Sequence, residues 1–167
     1  MTEVLRYAGQ AVVYVLIALA IGYFANGPAY VHFPPDQALI KLSFGHGGEP
    51  KGECRRLTPE ELAALAPNMR KPFDCPRERV PVVVALELDG QPLYQASLPP
   101  SGISGDGPSG VYERFPVAPG RHRLVARLRD TGRTEGFDYE REVDFELAPS
   151  HIFVVDFRAE AGGFVFK

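Results

Sequence analysis

The side chains with most scope for chemistry in this chain are two cysteines, Cys54 and Cys75, and four histidines, His32, His46, His122 and His151. The cysteines lack the close C-x-x-C spacing of a zinc site. An even pair outside the cytosol is expected to form a disulfide, and closing a loop of about twenty residues is worth roughly 3 kcal/mol in the chain-entropy model. No H-x-H, H-E-x-x-H or Cys-His spacing links the histidines. His46 lies between glycines at a strand end and Met69 lies within the cysteine loop, so His46 and Met69 with His32 are the candidates for a copper site outside the cytosol. His122 falls on the inward face of its strand, where a hydrogen-bonded core or interface residue is expected.

Ser101, Ser104 and Ser109 stand near Asp106 in a loop rich in glycine. That composition raises hydrolysis as a third possibility. No G-x-S-x-G elbow follows a strand, and no histidine occupies a recognisable partner position, so no catalytic residue is assigned. Phosphate cradling by Gly102, Gly105, Gly107 and Gly110 lacks its strand-loop-helix setting, and calcium lacks a D-x-D-x-D-G loop. No cofactor is expected, and the chain is not expected to be an enzyme.

The elements that position these residues begin with a membrane signal. Ala11 to Ala25 carries no charge, and extended back to Tyr7 the stretch is interrupted only by Gln10. Its length approaches the roughly 30 Å hydrocarbon core of a bilayer. A secretory signal has the same order of parts, but the nearest cleavage-like site, Gly27-Pro28-Ala29, is a poor match, and Tyr7, Tyr14, Tyr23 and Phe24 suit the interfaces of a retained span. Arg6 precedes the span and no charge follows until Asp36, which puts the N-terminus in the cytoplasm and the rest outside. The chain is therefore read as a stub and anchor over 1–25, a Pro-rich spacer over 26–36 and an extracytoplasmic domain over 37–167 with an insertion at 45–79. The formal charge of −3 and the absence of an unbalanced basic patch argue against nucleic acid as a partner. The partners expected are lipid, through the N-terminal helix, and a membrane or envelope protein.

Within the domain, Ala38, Ile40, Leu42 and Phe44 alternate with Leu39, Lys41 and Ser43 as a half-buried strand, which Gly45, Gly47 and Gly48 are expected to end. In the insertion Thr58-Pro59-Glu60-Glu61 is a capping box with Pro at the first helical position, predicting a short helix that stops before Pro67. Val82, Val84, Leu86 and Leu88 share a face, Asp89-Gly90 supplies a two-residue turn, and Leu93 to Leu98 returns. Pro99 to Gly110 reads as a long loop, and Val111 to Val117 as the next strand.

Charge then predicts a register. His122, Leu124, Ala126 and Leu128 face one way while Arg121, Arg123, Arg127 and Arg129 face the other. Phe137, Tyr139, Arg141, Val143 and Phe145 alternate with Asp138, Glu140, Glu142, Asp144 and Glu146. An antiparallel hairpin pairing Arg129 with Asp138, Arg127 with Glu140, Arg123 with Asp144 and Arg121 with Glu146 satisfies both charge and burial parity. Arg141, the odd residue among apolar neighbours, is expected to be paired or at an edge. His151 to Phe157 reads as a central strand covered on two sides, and Phe164-Val165-Phe166 as a strand at a sheet edge.

The run Leu86-Glu87-Leu88-Asp89-Gly90-Gln91-Pro92-Leu93, followed by Phe115-Pro116-Val117-Ala118-Pro119-Gly120-Arg121-His122-Arg123-Leu124, resembles the strand-DG-strand and "PG-x-H-x-L" turn of PEGA-type and transthyretin-like surface domains. The resemblance covers under half of the domain, and the P-E-G-A tetrapeptide is absent. It implies an envelope setting and an interaction module without an active site. The expected fold is all-β: an immunoglobulin-like or transthyretin-like sandwich of about seven or eight strands, with a short helical disulfide-stapled insertion, preceded by one transmembrane helix. The function expected is that of an accessory or assembly subunit, with metal binding or delivery as the alternative.

Overall fold

The computed structural model describes residues 2–27 and 34–167. His32 and most of the Pro-rich spacer lie outside the described residues. The chain divides into two compact units, Met1–Pro34 and Pro35–Lys167.

In the first unit α1 spans Thr2–Asn26, about 37 Å at 1.5 Å per residue. Its segment Glu3–Ala25 contains an 18-residue stretch with a mean hydropathy of 1.9 and is long and apolar enough to cross a membrane. Arg6 lies 3.6 Å from Glu3, one helical turn away, so the charges of this end are local to it.

The second unit is mostly strand. Its elements are β1 (Ala38–His46), β2 (Arg55–Arg56), α2 (Pro59–Ala64), β3 (Phe73–Asp74), β4 (Val82–Leu88), β5 (Gln91–Leu98), β6 (Ser109–Val117), β7 (Gly120–Arg129), β8 (Tyr139–Leu147), β9 (Ile152–Arg158) and β10 (Gly163–Phe166). Two four-stranded sheets form, in the orders β10-β9-β1-β6 and β5-β4-β7-β8. Their inner faces share one core: Ile40, Leu42 and Phe44 of β1 and Val155, Phe157 and Phe164 of β9 and β10 meet Val82, Val84, Leu86, Leu124 and Leu128 of β4 and β7. This is an arrangement consistent with a β-sandwich. β2 and β3 pair separately, as a two-stranded ladder that the alternation of the sequence does not signal.

The β7–β8 register places Arg121 opposite Glu146, Arg123 opposite Asp144 and Arg127 opposite Glu140, as charge and burial parity require. At the loop end of the hairpin Asp138 donates its backbone N–H to Leu128 O, which keeps the same register. The individual contacts differ from simple cross-strand pairs. Arg123 reaches the diagonal neighbour Glu142 instead of Asp144, within the reach of a long side chain on a twisted ladder. Asp138 accepts from the N–H groups of Asp130 and Thr131, the Thr131 hydroxyl and Arg133, while Arg129 donates to the carbonyls of Thr134 and Gly136. Both residues stabilise the loop between the strands, since its backbone groups have no ladder partners of their own.

Four edges remain, and each is managed differently. Glu113 on β6 stands opposite the inward-facing Leu42, and Arg141 on β8 opposite the inward-facing Ala126, so each of these two edge strands points a charge toward the sandwich. Inward charges oppose strand addition by another chain. Arg141 donates to Phe164 O at 2.6 Å and lies over the Phe166 ring, tying the two sheets together at their β8–β10 side. Phe145, Phe153 and Phe166 stack along the same seam, with the first pair 4.0 Å apart. Tyr94 and Phe115 close the opposite side at 5.6 Å. β10 is short, and β5 carries Pro92 beside a bulge at Leu86/Glu87.

Two expectations are corrected here. β1 does not end at Gly45; it continues to His46 because Gly45 and His46 still pair with Gly110 and Ser109 of β6. β9 is interior to its sheet, paired in parallel with β1 and antiparallel with β10, but only one of its faces is covered, and Ile152 on the other is 58% exposed. The Asp89-Gly90 turn is as expected, with φ of 53° and 78°, and C-terminal Phe164 is fully buried against the core.

Candidate functional site

Two histidine–aspartate pairs and one stapled excursion hold His46, His122, Met69, Cys54 and Cys75. The first pair is built by turn geometry. Asp89, at the first left-handed position of the β4–β5 turn, exchanges backbone and side-chain hydrogen bonds with Arg123: Asp89 N–H to Arg123 O and Arg123 N–H to Asp89 Oδ1, both 2.8 Å. Its other oxygen lies 2.7 Å from His122 Nδ1, and His122 Nε2 lies 2.8 Å from Ala118 O. A carbonyl and an ionised carboxylate only accept, so it is the imidazolium form, with a proton on each nitrogen, that satisfies both contacts. The hydrogen bond to Asp89 accordingly raises the His122 pKa above 6.5 against the opposing effect of burial. The same bond, with that from Arg123 N–H, lowers the Asp89 pKa.

Around this pair lies a shallow cleft of about 610 Å³ lined by Asp89, Arg121, His122, Arg123, Asp144, Phe145 and Glu146. Its cations are occupied: Arg121 faces Glu146 at 3.8 Å and Arg123 contacts Glu142. The expectation that His122 is a hydrogen-bonded residue of the inner face agrees with this geometry, and the signal for its partner was the DG turn itself.

The second pair lies at the other end of the domain's long strands. His46 Nε2 is 2.6 Å from Asp130 Oδ2, and the imidazole lies edge-on to Phe157 at 4.7 Å. The side chains are 17% and 14% exposed. The sequence separation of 84 residues explains why no local spacing announced this pair. His46 also stands opposite Ser109 in the β1–β6 ladder. Ser109, however, is fully buried and donates its hydroxyl proton to Leu98 O at 2.9 Å, so the hydroxyl stabilises the chain crossing from β5 to β6.

Met69 sits in a 3-10 turn, Pro67–Met69, and is 62% exposed. The contacts of His46 are thus with Asp130 and Phe157, while Met69 faces solvent. Among the described residues no group of three or more His, Cys, Asp or Glu is placed to hold a metal ion.

Cys54 and Cys75 are joined, with a Cα–Cα distance of 4.2 Å. The disulfide flanks the β2–β3 ladder, inside which α2 begins as its capping box predicts: Glu61 N–H donates to Thr58 Oγ1, and Thr58 N–H donates to the Glu61 carboxylate. No residue from 49 to 81 is buried. The excursion is instead held by its staple, by Arg55 bridging to Glu61 at 2.7 Å, by Lys51 to Glu78 at 2.7 Å and by Arg79, which donates to Gly48 O and Asp106 O.

A comparison with protein-family models and with curated proteins finds no match for this chain. Its function is therefore argued from these residues.

Proposed function

We propose that this is a single-pass envelope protein whose N-terminal helix is retained in the cytoplasmic membrane. The N-terminus is cytoplasmic, and an immunoglobulin-like or transthyretin-like sandwich stands outside, serving an envelope or membrane complex as an accessory or assembly subunit. The observation that carries the reading is α1, whose twenty-three residues from Glu3 to Ala25 carry no charge after Arg6 and have no buried face. Such a surface matches lipid and not water. The disulfide supports the outside placement, because thiols stay reduced in most cytosols. Interaction is favoured over catalysis because the groups with chemical capacity are engaged with one another, His122 with Asp89, His46 with Asp130 and Ser109 with Leu98 O.

An alkaline phosphatase fused after Lys167 is expected to be active. An inactive phosphatase, with a cytoplasmic reporter working in the same place, would overturn the topology. Stoichiometric copper binding by the full-length chain, abolished by His46→Ala, would replace the interaction reading with metal delivery.

A further inference from the structure

The sheet β10-β9-β1-β6 turns Ile40 and Leu42 into the core, so Lys41 between them faces outward, and the register sets Arg114 directly opposite it. The same parity puts Ile152, Val154, Asp156 and Arg158 of β9 on the outer face, because Val155 and Phe157 face the core. Val154 and Lys167 exchange both backbone hydrogen bonds, at 2.8 and 3.0 Å, which continues the β9–β10 ladder by one residue. Lys167, Val154, Lys41 and Arg114 therefore form one row across the whole sheet.

Two cations directly opposite each other weaken a ladder. Here they meet over a ring: Lys41 Nζ lies 4.9 Å and the Arg114 guanidinium 5.2 Å from the centroid of Tyr112, which is itself 54% exposed. Among the described residues these strands carry one acid on the outer face, Asp156, and it already bridges to Arg158 at 3.1 Å and to Lys167 at 3.6 Å. Asp36 and Glu160 flank the face in sequence, before β1 and after β9. The outer face of the other sheet is balanced, since Arg121, Arg123 and Arg127 each contact a carboxylate of β8. Cations thus exceed acids on one face of a protein whose formal charge is −3.

We infer that this face, centred on Lys41, Arg114 and Tyr112, docks an acidic segment of a protein partner. The inference rests on the reading of the chain as an interaction subunit. A carboxylate placed between Lys41 and Arg114 replaces their repulsion with two attractions, so binding relieves what folding leaves unfavourable. Lys167 stands two strands from Lys41, about 10 Å across the sheet, which matches acids three residues apart in an extended segment. Exposed Tyr112 and Ile152 supply aromatic and apolar contact beside the cations, and tyrosine with arginine is the composition enriched at the centres of protein interfaces. A bare polyanion gains nothing from the ring.

The full-length chain in phosphatidylcholine nanodiscs is titrated, at low salt, into fluorescein-labelled polyglutamate and into a labelled glutamate–tyrosine copolymer of the same length, with anisotropy as the readout. The copolymer is expected to bind severalfold more tightly, and Tyr112→Ala to abolish that advantage. Lys41→Glu is expected to weaken copolymer binding by about tenfold or more, whereas Arg121→Glu, the same change of charge on the other outer face, leaves it within about twofold. Because a glutamate at 41 faces Arg114, Lys41→Glu is also expected to raise the urea midpoint, so its loss of binding is not a loss of folding. Equal weakening by the two reversals, or no binding of either polymer, would overturn the docking. Polyglutamate binding as tightly as the copolymer would overturn the assignment to a protein partner, and a lowered midpoint in Lys41→Glu would overturn the repulsion on which the argument turns. Copper binding abolished by His46→Ala would instead overturn the interaction reading itself.

Discussion

The sandwich and the stapled excursion are folded by different physics within one unit. In the sandwich, period-two strands bury one face each, and residues such as Ile40, Leu42, Val84, Leu128 and Phe164 are wholly withdrawn from water. Such burial is worth roughly 1.5–3 kcal/mol per large side chain, and it comes with a fixed register because a one-residue slip would turn every apolar group outward. In the excursion nothing is buried between 49 and 81, and its order rests on a covalent link, a capping box and a few exposed ion pairs. Stability is therefore collective in the first region and local in the second. The same residue type has different consequences in the two places.

The largest expected contrast is between two phenylalanines. Phe164→Ala opens a cavity among Phe44, Phe157 and their neighbours and is expected to destabilise the unit by about 3–5 kcal/mol. Phe73→Ala, at a half-exposed site, is expected to change global stability by no more than about 0.5 kcal/mol. Urea denaturation followed by near-ultraviolet circular dichroism measures both. Equal losses would mean that the excursion contributes to the common core.

Next comes the staple. Cys54→Ser with Cys75→Ser removes a link worth about 3 kcal/mol of loop-closure entropy, and the loss is expected to fall on the excursion alone. Limited trypsin digestion should then cut after Arg70 far faster than in the parent, with hydrogen exchange in β4 and β7 unchanged. Faster exchange throughout those strands would join the two regions into one cooperative unit.

A pH titration separates the sandwich from the excursion in another way. His122 has a raised pKa in the folded state because of its bond to Asp89, so the stability it contributes is fully present below about pH 6.5 and is lost as pH rises through the raised value. Asp89 has a lowered pKa, so its contribution is present above about pH 4 and is lost as pH falls through the lowered value. His122→Gln is expected to flatten the alkaline limb, as read from denaturant midpoints at successive pH values. Persistence of that limb in the variant would assign it to another group.

The smallest effect belongs to the exposed ladder. Arg127 sits 2.8 Å from both Glu140 and Glu87, the first on β8 and the second on β4. A double-mutant cycle with Arg127→Glu and Glu140→Arg is expected to give a coupling of a few tenths to about 1 kcal/mol, weakening with salt. The double reversal should recover only part of the loss, because an arginine at 140 leaves the acids at 87 and 127 facing each other. Full recovery would show that Glu87 contributes nothing to the site.

What was legible in the sequence is what short-range chemistry fixes. The alternation in β1, β4, β7 and β8 identified their buried faces, the Asp89-Gly90 pair identified a hairpin, and the opposed charges of β7 and β8 identified their register. Thr58 with Pro59 and Glu61 likewise announced the start of α2. In each case the decisive groups lie within one turn or across one hairpin, so their geometry follows from spacing. Glu3 to Ala25 belongs with these, since length and apolar composition suffice to make a helix that can cross a membrane.

Only the tertiary structure decided which distant groups meet. Packing the two sheets against each other carries His46, at the end of β1, to Asp130 after β7 and sets Ser109 of β6 against Leu98 at the end of β5. The adjacency of β4 to β7 brings Glu87 to Arg127 and Asp89 to His122. These contacts span 11 to 84 residues. They depend on which strand edge a chain segment meets after crossing between sheets, a choice made by burial of the whole core and not by any local pattern. The same holds for the loop 99–108 and the return of the excursion, which Arg79 fastens together because the end of β1 lies beside the start of β6.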